Sequence, residues 1–290
     1  MRFLPLSLLT VTLFACNHDS NKVETAAAEF SLTCDMSEVF TPAATAVETI
    51  AAESNNTTVI ILHGKSGSPN ATHLVSLGND LNNLGYDVVA PYMPWSSSNW
   101  NGTLCQGASY VNALINTEKD KGNKVILLGH SLGGPNALAY AALENSAKPD
   151  AVVALAPGHF VHRSSLLQAG HKTSIETANS MINNGQSNDI ATFTTVNGGV
   201  DTYISTTPKI YLSFHSTSEF PDIATSTASV KQPLLWLAGA DDNLTGVADK
   251  FGLTSYIPDS PSNKYKVIPG GHISLVDSVA TELDSWFQAL

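Results

Sequence analysis

The run Gly129-His130-Ser131-Leu132-Gly133-Gly134 sets a serine between glycines two positions to either side. It directly follows the apolar stretch Val125 to Leu128 and precedes an Ala-rich stretch from Asn136 to Leu143. A strand that turns sharply into a helix leaves no room beside such a serine, so the glycines let the backbone tighten and push Oγ outward. A serine hydroxyl is a weak nucleophile at neutral pH and needs a general base within hydrogen-bond reach. Of nine histidines, His272 has the position for that role, because it follows the run Tyr265 to Ile268 through Pro269-Gly270-Gly271 and precedes the last helical segment. Loops at the carboxyl ends of strands are where open α/β sheets meet their ligands. The imidazole needs a carboxylate to orient it and to stabilise its positive charge. Asp241 and Asp242 stand just after the run Leu234 to Ala238, and only one of them can be that partner. A carboxylate after the preceding strand is excluded, since no Asp or Glu occurs from Ala151 to Ile175.

Attack on a carbonyl creates a negative oxygen that needs preorganised donors. The backbone N–H of Leu132 and that of Lys65, in His63-Gly64-Lys65-Ser66-Gly67, are the candidates. Gly64-Lys65-Ser66 looks like the end of a phosphate-binding loop, but the required glycine five residues earlier is Val59, inside a strand run. His159 and His162 have a spacing that could suit a metal, yet no nearby carboxylate or thiol completes a ligand set, which favours surface loop positions and no metal site. Met93, Trp95 and Trp100 follow the second strand run and either line a pocket or pack in the core.

Those residues need a scaffold to bring them together. Short apolar runs at Val59 to Leu62, Val88 to Ala90, Val125 to Leu128, Ala151 to Ala156, Leu234 to Ala238 and Tyr265 to Ile268 alternate with segments of helical period. Strands apolar on both faces are what a parallel sheet covered by helices requires. Leu74, Leu77, Leu81 and Leu84 recur at helical spacing with Gly85 as a terminator, and Val276, Val279, Leu283 and Phe287 repeat the pattern near the C-terminus. The class is therefore a doubly wound, mainly parallel α/β sheet. We expect residues 57–290 to form one domain, preceded by a tether and peripheral segment over 16–56. Residues 159–232 are too long for an ordinary connection and hold a helical pattern near Thr173 to Asn184; they form either a cap over the site or a crossover helix with loose loops.

VIILHGKSG, GHSLGG, LLWLAGADD and IPGGHIS resemble, in order, the oxyanion loop, nucleophile elbow, acid turn and histidine loop of α/β-hydrolases, over about residues 59–290. The resemblance implies a serine hydrolase with Ser131, Asp242 and His272 as its triad. Asp242 is preferred over Asp241 because the family's acid commonly stands three residues after a glycine. The oxyanion loop is similar to the H-G-x-x-G type and lacks the H-G-G-G form of many esterases. The activity implied is cleavage of a carboxylic ester or thioester through an acyl-serine, with no cofactor. An amidase, peptidase or acyltransferase on the same triad, or a surface lipoprotein that only binds, are the alternatives.

The first residues suggest where this chemistry takes place. One Arg followed by an apolar run from Phe3 to Phe14 has the layout of a signal peptide over residues 1–15. As a helix that run would reach only about 18 Å, short of a hydrocarbon core of roughly 30 Å. Leu13-Phe14-Ala15-Cys16 resembles the lipobox of bacterial lipoproteins, which implies acylation of Cys16, export and a membrane anchor at the periplasmic face or outer membrane. The two remaining cysteines, Cys34 and Cys105, can pair in an oxidising compartment if the fold brings them close. A net charge of -11 without a basic cluster argues against nucleic acid and leaves a small ester or acyl compound as the expected partner.

Overall fold

The computed structural model describes residue 30, residues 32–163 and residues 169–290. Residues 1–15, expected as a signal peptide, and Cys16, expected as a lipidation site, lie outside the described residues. A seven-stranded sheet forms from β1 (Val47–Thr49), β2 (Thr57–Leu62), β3 (Asp87–Ala90), β4 (Lys124–His130), β5 (Ala151–Leu155), β8 (Leu234–Gly239) and β9 (Lys264–Ile268). Their order is β1-β3-β2-β4-β5-β8-β9, with every neighbouring pair parallel except β1 against β3. All six runs picked out from sequence are strands of this sheet. β1 was not anticipated, because its three residues carry no apolar run; its pairing with β3 makes the end of the expected tether part of the domain.

Period-two alternation divides each central strand between two cores. Ile60 and Leu62, Val125 and Leu127, and Leu234 and Trp236 face one cluster. Val59 and Ile61, Ile126 and Leu128, and Leu235 and Leu237 face the other. α1 (Thr72–Asn83) and α8 (Ala280–Phe287) cover the second cluster with Leu74, Leu77, Leu81, Leu283 and Trp286. α2 (Leu104–Asp120) and α3 (Gly133–Ala142) cover the first. α2 starts at a capping box in which the Thr103 hydroxyl accepts the Gln106 N–H and the Gln106 side chain accepts the Thr103 N–H. β9 departs from the two-sided apolar pattern. It is an edge strand, with Lys264 and Lys266 exposed and Val267 at 43% exposure, and charged edges of this kind resist pairing with another chain.

Between β5 and β8 the described residues form an insertion of three helices and a hairpin, not a single crossover helix. It comprises α4 (Ala169–Asn183), the antiparallel pair β6 (Ala191–Asn197) and β7 (Val200–Thr206), α5 (Pro208–His215) and α6 (Ile223–Ser229). The hairpin is tied to the body of the fold where the Ser205 N–H donates to the Ser98 carbonyl and the Thr206 hydroxyl to the Trp100 carbonyl. His159 and His162, expected as surface residues, are pins beneath this insertion. Their Nε2 atoms meet the carbonyls of Phe214 at 2.6 Å and Phe220 at 2.7 Å.

Cys34 and Cys105 are joined by a disulfide that fastens the N-terminal segment to the start of α2. It closes a loop of 71 residues. Cys105→Ser is expected to cost about 4 kcal/mol, because the unfolded chain regains the freedom the bridge removes. A thermal melt showing an unchanged Tm would refute that contribution.

Candidate active site

β4 ends in the turn that carries Ser131, and the backbone there has no slack. Ser131 adopts φ 56°, the left-handed region that L-residues rarely enter. A Cβ on Gly129 would lie 2.0 Å from the Gly133 carbonyl oxygen, and one on Gly133 would lie 2.3 Å from that of Leu62. Only glycine fits at either position, which is the physical content of the sequence motif. α3 starts immediately afterwards, so the Leu132 N–H stands at a helix N-terminus.

His272 reaches this serine from the loop after β9. Its Nε2 lies 2.9 Å from Ser131 Oγ, and its Nδ1 lies 2.8 Å from Asp242 Oδ2. Three residues distant in sequence thus form one continuous hydrogen-bonded chain at the carboxyl ends of β4, β8 and β9. The other oxygen of Asp242 accepts the Leu244 N–H at 2.9 Å, so the same carboxylate caps α7 (Asn243–Lys250). Burial works to raise the Asp242 pKa, but hydrogen bonds from His272 and Leu244 outweigh it and hold the carboxyl below its ordinary range. Asp241 is exposed, and its backbone N–H donates to the Gly270 carbonyl.

Two further histidines brace the site. His130, next to the serine, is 2% exposed, and its Nε2–H donates to the His272 carbonyl at 3.0 Å. His63 closes the loop after β2: its Nδ1–H donates to the Gly64 carbonyl, and its Nε2 accepts the Met93 N–H. Trp95 donates its indole N–H to the His63 carbonyl. Met93, Trp95 and Trp100 are therefore buried core residues that support the loop and do not line the cavity beside Ser131. Among the described residues, neither the Lys65 N–H nor the Leu132 N–H donates to a protein acceptor.

Burial keeps both supporting histidines neutral, pushing His63 down to about 4 and His130 down to about 3. Unfolding returns each to its ordinary value of 6.5, so below that pH the unfolded chain takes up protons that the folded chain refuses. Their contribution is complete above pH 6.5 and is lost as the pH falls towards those depressed values. Each group removes up to about 1.4 kcal/mol per pH unit in that window. Urea titrations at pH 6.5 and pH 5 should therefore show a lower midpoint at pH 5; equal midpoints would contradict the burial of these rings.

Two cavities flank the Ser131–His272 pair. The larger, about 460 Å³, runs under the inserted segment past His159, His171, Val196 and Leu244. The smaller, about 130 Å³, lies on the side of His63, His73, His130 and Ile273. A separate recess of about 560 Å³, between the N-terminal segment and α5 and α6, contains none of the three chain residues. Among the described residues no group of three or more His, Cys, Asp or Glu side chains could hold a metal ion, and no helix is long and apolar enough to cross a membrane.

Sequence reasoning did not pick out His130, His171 or the Lys65 side chain. His130 carried a signal in standing beside the nucleophile candidate; His171 carried none, because its neighbours come from the insertion. Lys65 extends its ammonium across the site to the inserted hairpin, donating to the Val196 carbonyl at 2.8 Å and the Thr195 hydroxyl at 3.1 Å.

The model of a family described as alpha/beta hydrolase of unknown function (DUF1057) matches residues 24–202. No curated protein sequence matches the chain. Est1E from Butyrivibrio proteoclasticus, solved with ferulic acid bound, has a similar fold, with a TM-score of 0.56 at 16% identity over 84% of this chain and 95% of its own. The esterase domain of a Rhodothermus marinus protein gives 0.58 at 14% identity over 84% and 92%. Monoacylglycerol lipase from Paleococcus ferrophilus gives 0.59 at 16% identity over 83% and 96%.

Proposed function

The chain belongs to this alpha/beta hydrolase family, and from that premise we propose that it hydrolyses carboxylic esters through an acyl-Ser131 intermediate. The observation that carries the reading is the unbroken chain Asp242–His272–Ser131, with contacts of 2.8 and 2.9 Å. His272 Nε2 takes the Ser131 proton as Oγ attacks the carbonyl, and Asp242 holds the Nδ1–H so that this tautomer is the one presented. The developing oxyanion is received by the N–H groups of Lys65 and Leu132, which have no protein acceptor among the described residues. His272 then returns the proton to the leaving alcohol, and a water activated by the same imidazole releases the acid. His130 is a positioning residue, holding the His272 backbone by its carbonyl.

An ester is favoured over an amide because two proteins of similar fold are an esterase domain and a monoacylglycerol lipase, and a third was solved with ferulic acid bound. Thioesters present the same carbonyl and are included in the reading. Mixing the protein with excess 4-nitrophenyl butyrate tests it. A burst of nitrophenolate equal to the protein concentration, followed by slower turnover, is expected for an acyl-enzyme; no release by folded protein would refute the proposal.

We further propose export with a lipid anchor on Cys16. Support comes from the lipobox-like sequence and from the Cys34–Cys105 disulfide, which suits an oxidising compartment. Cys16→Ser should move the protein from the membrane to the soluble fraction, and unchanged partition would refute the anchor.

A further inference from the structure

The larger cavity beside Ser131 contains polar groups that the hydrolytic chemistry does not use. His171, near the start of α4, is 3% exposed and lines this cavity. Its ring is held edge-on against Tyr211 and His215, with centroid separations of 6.3 and 5.0 Å. Neither ring nitrogen has a hydrogen-bond partner among the described residues. Buried polar atoms are nearly always paired, and each one left alone costs about 1–3 kcal/mol. The packing has therefore fixed the plane of a ring whose donor and acceptor have no partner among the described residues.

Lys65 lines the same cavity and has the complementary deficiency. Its ammonium makes two hydrogen bonds, both to neutral oxygens, leaving the third N–H without a protein acceptor among the described residues. No carboxylate among the described residues pairs with it. Thr195, which receives one of those bonds, donates its own hydroxyl O–H to His215 Nε2, and His215 Nδ1–H donates to the Tyr211 carbonyl. The network around the ammonium is thus satisfied by neutral partners, and the carboxylates that line the same cavity, Asp241 and Asp242, make no ion pair with Lys65 among the described residues, Asp242 being engaged by Leu244 and His272. Burial lowers the Lys65 pKa to about 7, and Lys65 in turn acts electrostatically on His171.

We propose that Lys65 and His171 form a recognition site for a carboxylate, so that the cavity beside Ser131 takes esters carrying an acid group in preference to plain alkyl esters. This rests on the ester-hydrolase reading above. A carboxylate offers two acceptor oxygens, one for the free Lys65 N–H and one for the His171 N–H, and supplies the missing negative charge. A hydroxyl or amide would satisfy His171 but leave the buried ammonium uncompensated, the costlier of the two deficiencies.

Glutarate and two chromogenic esters of the same acyl length, 4-nitrophenyl hydrogen glutarate and 4-nitrophenyl pentanoate, provide the test with the full chain. Calorimetric titration should show glutarate binding to wild type, weakened at least about tenfold in both His171→Phe and Lys65→Met. Melting curves of both variants verify folding, and the two substitutions disrupt the site from different elements. In turnover, the kcat/KM ratio of the acidic to the neutral ester should exceed one and fall at least about tenfold in His171→Phe, mainly through KM. Absence of glutarate binding to wild type up to about 10 mM, or an unchanged ratio in the variants, would overturn the proposal. The two readings fail separately. Hydrolysis of the pentanoate ester without glutarate binding removes the carboxylate site and leaves the esterase, whereas glutarate binding without hydrolysis of either ester does the reverse.

Discussion

Ser131→Ala is expected to lower kcat for ester hydrolysis by on the order of 10⁵-fold or more and to abolish covalent labelling by a fluorophosphonate probe. The size follows from what the substitution removes. The acyl-enzyme route needs Oγ as the attacking atom, and among the described residues the His272 ring that activates it has no other hydroxyl at Nε2. What survives is the pair of N–H groups at Lys65 and Leu132 together with substrate binding, which by themselves supply a modest residual acceleration over water. Folding should be nearly unaffected. The tightness of the turn resides in Gly129 and Gly133, and the Ser131 N–H and carbonyl bond through the backbone to Leu155 and to Gly134 and Gly158. Alanine at φ 56° is strained as serine is, so a small loss of Tm is compatible with the proposal. Mass spectrometry after labelling gives the clearest result: wild type gains one adduct and Ser131→Ala gains none. Labelling of the variant, or retention of more than about one-tenth of kcat, would place the nucleophile elsewhere.

The parts of the site that could be read from sequence are those whose reasons are local. Gly129 and Gly133 are dictated by steric contacts within a few residues and one neighbouring strand, so their spacing around Ser131 shows in the sequence. The central strands were equally legible, because burial on both faces writes a continuous apolar run. β9 shows the limit of that signal: Lys264 and Lys266 sit in a strand that is an edge, and edge strands are not obliged to be apolar on both faces. The insertion was recognisable as too long for a simple connection, yet its hairpin escaped because each strand buries few apolar side chains, Phe193 in one and Ile204 in the other, so no continuous apolar run marks it. The roles of His130, His171 and the Lys65 side chain depend on tertiary neighbours: a carbonyl 142 residues away in one case, and a hydrogen bond spanning 130 residues in another. No window of sequence contains both partners of such contacts.

The two aspartates at the end of β8 supply the second large effect. Asp242→Asn should reduce kcat by about 10⁴-fold while leaving Tm close to wild type, and Asp241→Asn should change kcat by less than about threefold. The helix cap makes the first outcome specific. In wild type Asp242 Oδ1 accepts the Leu244 N–H, and Oδ2 accepts from His272 Nδ1. An asparagine keeps the cap by turning its oxygen to the Leu244 N–H, since asparagine and aspartate cap helices about equally well. That orientation leaves the NH₂ group facing His272 Nδ1, so the ring must accept there and carry its proton on Nε2, the nitrogen that faces Ser131. A protonated Nε2 cannot take the serine proton, and the imidazolium of the attack step has lost its balancing charge. Flipping the amide would rescue the tautomer only by opposing NH₂ to the Leu244 N–H, which destabilises the start of α7. Asp241 has no such bind: its side chain is exposed, and its backbone N–H to the Gly270 carbonyl survives substitution. Parallel kcat and Tm measurements on the two variants separate the roles, and a 10⁴-fold loss in Asp241→Asn with an active Asp242→Asn would transfer the assignment to its neighbour.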